Sequence, residues 1–112
     1  MRSMFKVLFV SVLLCATFAM LCGGTTEAVV DERVKEVAMK MKGEVEKQAN
    51  ESFSTFEPVE AMTQVVAGTN YFIKVDVGNG KAVFMRVWDH FGDLSLTSIQ
   101  TGKTLGDKLE YF

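Results

Sequence analysis

Between residues 26 and 50, apolar side chains recur at steps of three and four. Val30, Val34, Val37, Ala38, Met41, Val45 and Ala49 form one series, with Asp31, Glu32, Lys35, Glu36, Lys40, Lys42, Glu44 and Lys47 on the other positions. This is the 3.6-residue period of a helix with one buried face and one solvated face. Asp31–Lys35 and Glu36–Lys40 are spaced by four with the acid first, the favourable order for helical ion pairs. Gly43 interrupts the stretch at a cost of about 1 kcal/mol relative to alanine, and its presence points to a close approach to the surface beneath. The charged face is read as solvated and carries no function.

After Asn50 the period changes. Phe53 and Phe56 precede Pro58, the single proline, which suits the start or edge of a strand. Residues 59–66 read as extended. Residues 70–77 alternate, with Tyr71, Ile73, Val75 and Val77 on one face and Phe72, Lys74 and Asp76 on the other. Gly78-Asn79-Gly80 is a hairpin signal, because a tight reversal needs the positive φ that Gly and Asn tolerate. Residues 81–88 return with Val83, Met85 and Val87 opposite Ala82, Phe84, Arg86 and Trp88. Asp89-His90-Phe91-Gly92-Asp93 predicts a second turn, 94–100 a further strand, and 108–112 a short final one. The expected fold is α+β: one long N-terminal helix packed across a four- to five-stranded antiparallel sheet.

The first two dozen residues do not share this patterning. Arg2 and Lys6 give a positive start, and residues 5–21 are otherwise almost wholly apolar. Thr17-Phe18-Ala19 offers small residues at the last and third-last positions before a cut after Ala19, the layout of a secretory leader; a cut after Gly23 leaves Leu21 at the third-last position. The alternative is a retained membrane anchor, but the run is slightly short for ~30 Å of hydrocarbon. The expected organisation is therefore a signal peptide at 1–19 and one domain at 20–112, with no membrane association after removal. Such a protein is secreted or follows the endocytic and lysosomal route, and is cytosolic if the leader is not used.

Of 112 residues, about 93 then remain, enough for one hydrophobic core. Removing Arg2 and Lys6 from twelve basic residues leaves ten against fourteen acidic ones, a net of −4. A mildly acidic surface without a basic cluster argues against nucleic acid. Of the two cysteines, Cys15 leaves with the leader and Cys22 stands alone near the new terminus. Packing, not disulfides, must hold this domain, and a monomer is expected.

No phosphate-binding glycine loop, nucleophile elbow or metal-ligand spacing is present, and no cofactor is implied. His90 is the single histidine. Paired with Cys22 it would make a minimal thiol–imidazole couple, but Cys22 precedes the helix in a terminus that cannot hold that geometry. Asp89 and Asp93 suit turn capping better than a calcium loop. Asn50-Glu51-Ser52 is an N-glycosylation sequon, which matters only for the exported chain that the expected leader implies.

What remains is a pair of apolar turns. In a meander, turns one strand apart alternate between the two ends of the sheet, so residues 64–69 and 88–93 share one end and 78–80 takes the other. If the chain before the helix reaches the first end, the three elements form an apolar wedge. The alternative is an ordinary end cap with inward valines.

Gln64-Val65-Val66-Ala67-Gly68 resembles the Gln-x-Val-x-Gly signature of the cystatin family at every fixed position. TNYFIKVDVGNGKAVFMRV (69–87) is similar to the strand–hairpin–strand of the stefins, the type 1 cystatins. Leu109-Glu110-Tyr111-Phe112 and Met20-Leu21-Cys22-Gly23-Gly24 resemble their two ends. The resemblance spans 20–112 and implies a helix wrapped by an antiparallel sheet, without disulfides. It also implies reversible, tight inhibition of papain-like cysteine proteases such as cathepsins. The implied contact residues are Gly23 or Gly24 in the N-terminal trunk and Gln64, Val65, Val66, Ala67 and Gly68 in the first loop. Stefins usually carry Leu-Pro in a longer second loop, where this chain has Trp88-Asp89-His90-Phe91-Gly92. Phe91 or Trp88, with His90 beside them, is expected to make the second-loop contact. A leader also departs from the typically cytosolic stefins. A cystatin-fold binding module that has lost inhibition is the alternative function.

Overall fold

The two periods resolve into one helix and five strands in a computed structural model, which describes residues 24–112. The expected leader at 1–19, Cys22 and Gly23 lie outside the described residues. In chain order the elements are β1 (Thr26–Ala28), α1 (Glu32–Ala49), β2 (Glu57–Val66), β3 (Gly68–Gly78), β4 (Lys81–His90) and β5 (Asp93–Thr104). The sheet is antiparallel throughout, in the order β1-β2-β3-β4-β5.

The helix begins later than its apolar period predicts. Asp31 is the N-cap: its backbone is extended, and its Oδ1 accepts the Val34 N–H at 3.0 Å. A capping carboxylate satisfies a first-turn donor only if the helix starts after it. Upstream, Thr26 and the neighbouring Val29 and Val30 are β-branched and favour extended chain; Thr26–Ala28 pairs with β2 in the register Thr26↔Thr63, Glu27↔Met62 and Ala28↔Ala61. Asp31 is thus a cap, while Glu36 pairs with Lys40 at 3.4 Å as the spacing predicts. The helix ends at Asn50, which is left-handed and donates its N–H to the carbonyls of Glu46 and Lys47.

The helix lays Val34, Val37, Ala38 and Val45 on the sheet face formed by Ala61, Ile73, Val75, Val83, Met85 and Val87, and the stacked rings of Phe53 and Phe56 belong to the same core. Val30, Met41 and Ala49 pack at the margin of this core. Gly43 is not at a close approach: it faces solvent, and no atom outside its own helix lies within 4 Å of where its side chain would begin.

The other face of the sheet is covered as well. Residues 108–112 do not form the expected strand. Instead Leu109 is buried against Met62, Phe72, Ala82 and Phe84, and Phe112 packs beside them. The Arg86 Nη1 donates to the Phe112 main-chain oxygen at 2.7 Å, and its guanidinium lies over the rings of Phe72 and Tyr111 at 5.3 and 5.1 Å. Side-chain burial and this cation–ring stack hold the tail, so it needs no ladder of its own. Lys74 is buried on the same face, paired with Glu60 at 2.8 Å and donating to the Leu105 carbonyl at 3.1 Å.

Candidate functional site

The tips of β2–β3 and β4–β5 share one end of the sheet, as their spacing predicts. Val66 pairs with Gly68 across Ala67, Thr69 pairs with Asp89, and His90 pairs with Asp93 across Phe91 and Gly92. The second turn is tighter than expected: β4 continues through His90, leaving Phe91 and Gly92 as the turn. From Ala28 back to Thr26 the partner on β2 moves from Ala61 to Thr63, so the chain before the helix runs towards this same end.

The first tip is apolar and exposed. Val65 is 71% accessible, and Val66 and Ala67 are exposed beside it. Beneath them the polar residues turn inward. Gln64 and Asn70 are directly opposite each other and buried, with the Asn70 Nδ2 donating to the Gln64 Oε1 at 3.0 Å. Gln64 therefore closes the base of the hairpin, whereas the valines form its outer surface.

The two tips lean on each other. At Gly68, φ is +95°, and a side chain there would run into the main-chain oxygen of Asp89. Only glycine combines that dihedral with contact against a neighbouring backbone. The Trp88 indole N–H then crosses to donate to the Ala67 main-chain oxygen at 2.9 Å. A groove of about 330 Å³ remains between the tips, lined by Val65, Val66, Gly68, Thr69, Asp89, Phe91 and Gly92.

On the second tip the rings of Trp88, His90 and Phe91 follow one another at centroid spacings of 4.6 and 5.0 Å. Trp88 is half-buried, His90 exposed, and Phe91 81% accessible. Phe91 also adopts φ 55°, a conformation uncommon for a bulky side chain. Strain of this kind costs on the order of 1–3 kcal/mol and persists only where surrounding contacts dictate it.

Those contacts come from Asp89. Its Oδ1 accepts the Gly92 N–H at 2.7 Å, fixing the turn, and its Oδ2 accepts from the Arg33 Nη2 at 2.7 Å. Arg33 lies in the first turn of α1 and also donates to Glu36 at 2.8 Å. The Arg33 guanidinium, and next the Gly92 N–H, hold the Asp89 carboxyl below the usual carboxylate range. Neither Arg33 nor Asn70 is marked in the sequence as part of this end. Asp89 is, as a turn-capping residue, but its helical partner lies 56 positions away.

His90 belongs to the aromatic row, and Cys22, the partner considered for it, lies outside the described residues. Among the described residues, no cluster of His, Cys, Asp or Glu could hold a metal ion.

A family model described as the cystatin domain matches residues 23–104. The chain is 44% identical over 97 residues to Cystatin-A of Mus musculus, an alignment covering 83% of this chain and the whole of that protein. It is 42% identical over 98 residues to Cystatin-B of Paralichthys olivaceus, covering 83% of this chain and all of the relative. Stefin-3 of Mus musculus is 43% identical over 91 residues, covering 78% of this chain and 88% of its own.

Proposed function

Because this chain belongs to the cystatin family, whose members are protease inhibitors and not enzymes, we propose that it inhibits papain-like cysteine proteases of the cathepsin type by plugging the active-site cleft. The plug consists of the trunk at Gly23 and Gly24, the first tip at Gln64–Gly68, and the second tip at Trp88, His90 and Phe91. Binding is reversible and tight. The carrying observation is that two hairpin tips braced against each other expose Val65 and Phe91 at one end of the sheet.

A papain-like cleft has apolar subsites on both sides of its thiolate. A wedge that fills both sides excludes substrate without offering a peptide bond to the sulfur. Burying a side chain such as valine or phenylalanine contributes roughly 1.5–3 kcal/mol, so Val65, Val66 and Phe91 together fall short of the ~12 kcal/mol of a nanomolar complex. The trunk must therefore contribute. Tips already tied together lose little freedom on docking, which lowers the entropic cost of association. Gln64 acts from beneath, holding the loop above it in shape.

Residues 1–19 have the basic-then-apolar order of an export leader and precede the family match. The inhibitor released by a cut after Ala19 meets its protease outside the cell or in an endocytic or lysosomal compartment. N-terminal sequencing of the cell-exported protein tests this; a chain recovered only in cytosol and still beginning at Met1 refutes it.

Titrating papain with purified, folded 20–112 tests the inhibition. Stoichiometric loss of activity at nanomolar protein is expected. Papain left fully active at micromolar protein would instead identify a cystatin-fold binding module with some other ligand.

A further inference from the structure

Asn50-Glu51-Ser52 is a motif that protease inhibition leaves unused. The fold sets it at the C-terminus of α1. Asn50 holds φ 56° and ψ 45°, and its main-chain N–H, not its side chain, makes the helix cap. Asn50, Glu51 and Ser52 are all exposed. Beside them lies a shallow trough of about 480 Å³, lined by Gly43, Glu46, Lys47 and these three residues. Gly43 stands two helical turns before Asn50 on the same face and meets no atom outside its own helix. Bare backbone therefore floors the trough, and carboxylate, ammonium and amide groups wall it. Such walls suit the hydroxyls of a sugar.

The position is also remote from the wedge. Arg33, at the start of α1, is tied to Asp89 of the second tip. From Arg33 to Asn50 the helix advances about 25 Å at 1.5 Å per residue. At the Asn50 end, Ala49, Glu51 and Phe53 lie beside Val77 and Lys81, which flank the 78–80 hairpin. A large group on Asn50 projects from the pole opposite the protease.

We propose that Asn50 is an N-glycan acceptor, and that the glycan lies over the Gly43 trough and leaves the inhibitory end uncovered. The proposal rests on residues 1–19 acting as an export leader. In the reaction, the Asn50 side-chain nitrogen bonds to the anomeric carbon of an oligosaccharide carried on a lipid diphosphate in the secretory lumen. The carbon–oxygen bond to the diphosphate breaks, the lipid diphosphate leaves with its electron pair, and the amide gives up one proton. The Ser52 hydroxyl supplies the second element of the sequon.

The test is expression of the full chain, with its own leader, in cultured animal cells, followed by intact mass before and after peptide:N-glycosidase. Asn50→Gln and Ser52→Ala are run alongside. The exported wild type should carry the mass of one N-glycan, lost on enzyme treatment and missing from both variants. Exported wild type at the bare polypeptide mass overturns the acceptor while leaving export intact. Protein found only in cytosol with Met1 in place overturns it through the leader instead. Papain inhibition should be the same before and after glycan removal; a gain in potency on removal would refute the assignment of the glycan to the far pole.

Discussion

A single methyl group added at Gly68 tests whether the two hairpin tips are locked together. Gly68→Ala first forces a side chain onto a residue at φ +95°, a cost of about 1–2 kcal/mol for an L-residue. The methyl then meets the main-chain oxygen of Asp89, with the His90 Cα at 3.1 Å and the Asp89 carbonyl carbon at 3.2 Å. These are backbone atoms and cannot rotate aside. The first tip has to lift off β4, which stretches the 2.9 Å bond from the Trp88 indole to Ala67 and forfeits about 1 kcal/mol more. With loosened Thr69↔Asp89 pairing, the total reaches roughly 3–5 kcal/mol, at the upper end of single substitutions. In a domain of this length each kcal/mol lowers Tm by about 4–8 °C, so a fall of at least 10 °C is expected. Gly92→Ala is the control. Its φ is +101°, but nothing lies within 4 Å of the added methyl, so only the dihedral cost of about 1–2 kcal/mol applies. Thermal melts by circular dichroism, paired with papain titration, read both effects. Equal melting temperatures and equal inhibition for the two variants would show that contact between the tips is not what requires glycine at 68.

Deleting residues through Gly24 should leave the papain association rate unchanged and hasten dissociation, by about tenfold for each 1.4 kcal/mol lost; unchanged dissociation removes the trunk from the mechanism. Val66→Asp should put a charge against an apolar subsite and weaken inhibition by several kcal/mol, whereas retained potency would mean that this tip does not dock. Gly43→Ala, in protein made without glycan, should stabilise the fold by about 1 kcal/mol, since its site opens to solvent; a lower melting temperature would contradict that. Asp89 has a folded-state pKa below its unfolded value, because of Arg33 and then Gly92. Its contribution is therefore complete above the unfolded value near 3.9 and is lost as pH falls through the folded one. Asp89→Asn should melt earlier than wild type at neutral pH and show a shallower loss below about pH 4, and parallel acid limbs would rule out this ion pair as a source of acid sensitivity.

The meander and its hairpin ends were legible because alternation and glycine placement act locally. Tyr71 to Val77 alternate about one strand, Gly78-Asn79-Gly80 reverses it, and the shared end of the other two turns follows from topology. The helix stripe was equally plain, but its start was not. Val30 continues the apolar period while lying outside the helix, because the core reaches past the Asp31 cap. Residues 108–112 have strand-like composition, yet their apolar side chains cover a sheet face and so need no backbone pairing. Gly43 raises the question of packing only because helical period cannot say which way an isolated glycine points. The candidate site is legible in two apolar turns that topology sets at one end, and in a resemblance that spans 20–112 with Gln64–Gly68 as its signature. The role of Gln64 as buried support emerged only when Asn70 stood opposite it.

Three dissimilar interactions hold the end of the sheet, and all of them converge on Trp88 and Asp89. Gly68 rests on the Asp89 backbone, Ala67 accepts the Trp88 indole proton, and the Asp89 carboxylate bridges Arg33 of the helix to the Gly92 amide. A neighbouring backbone limits how far the first tip can move inward, and the indole bond limits how far it can move out. The carboxylate bridge extends the same set of contacts to the helix, so helix, first tip and second tip are tied to one another. This accounts for an exposed phenylalanine at φ 55°: the short turn is set by Asp89, and Phe91 takes the dihedral left to it. A turn of only Phe91 and Gly92 can thus still present an aromatic ring, because the Asp89 contacts just before it set its geometry.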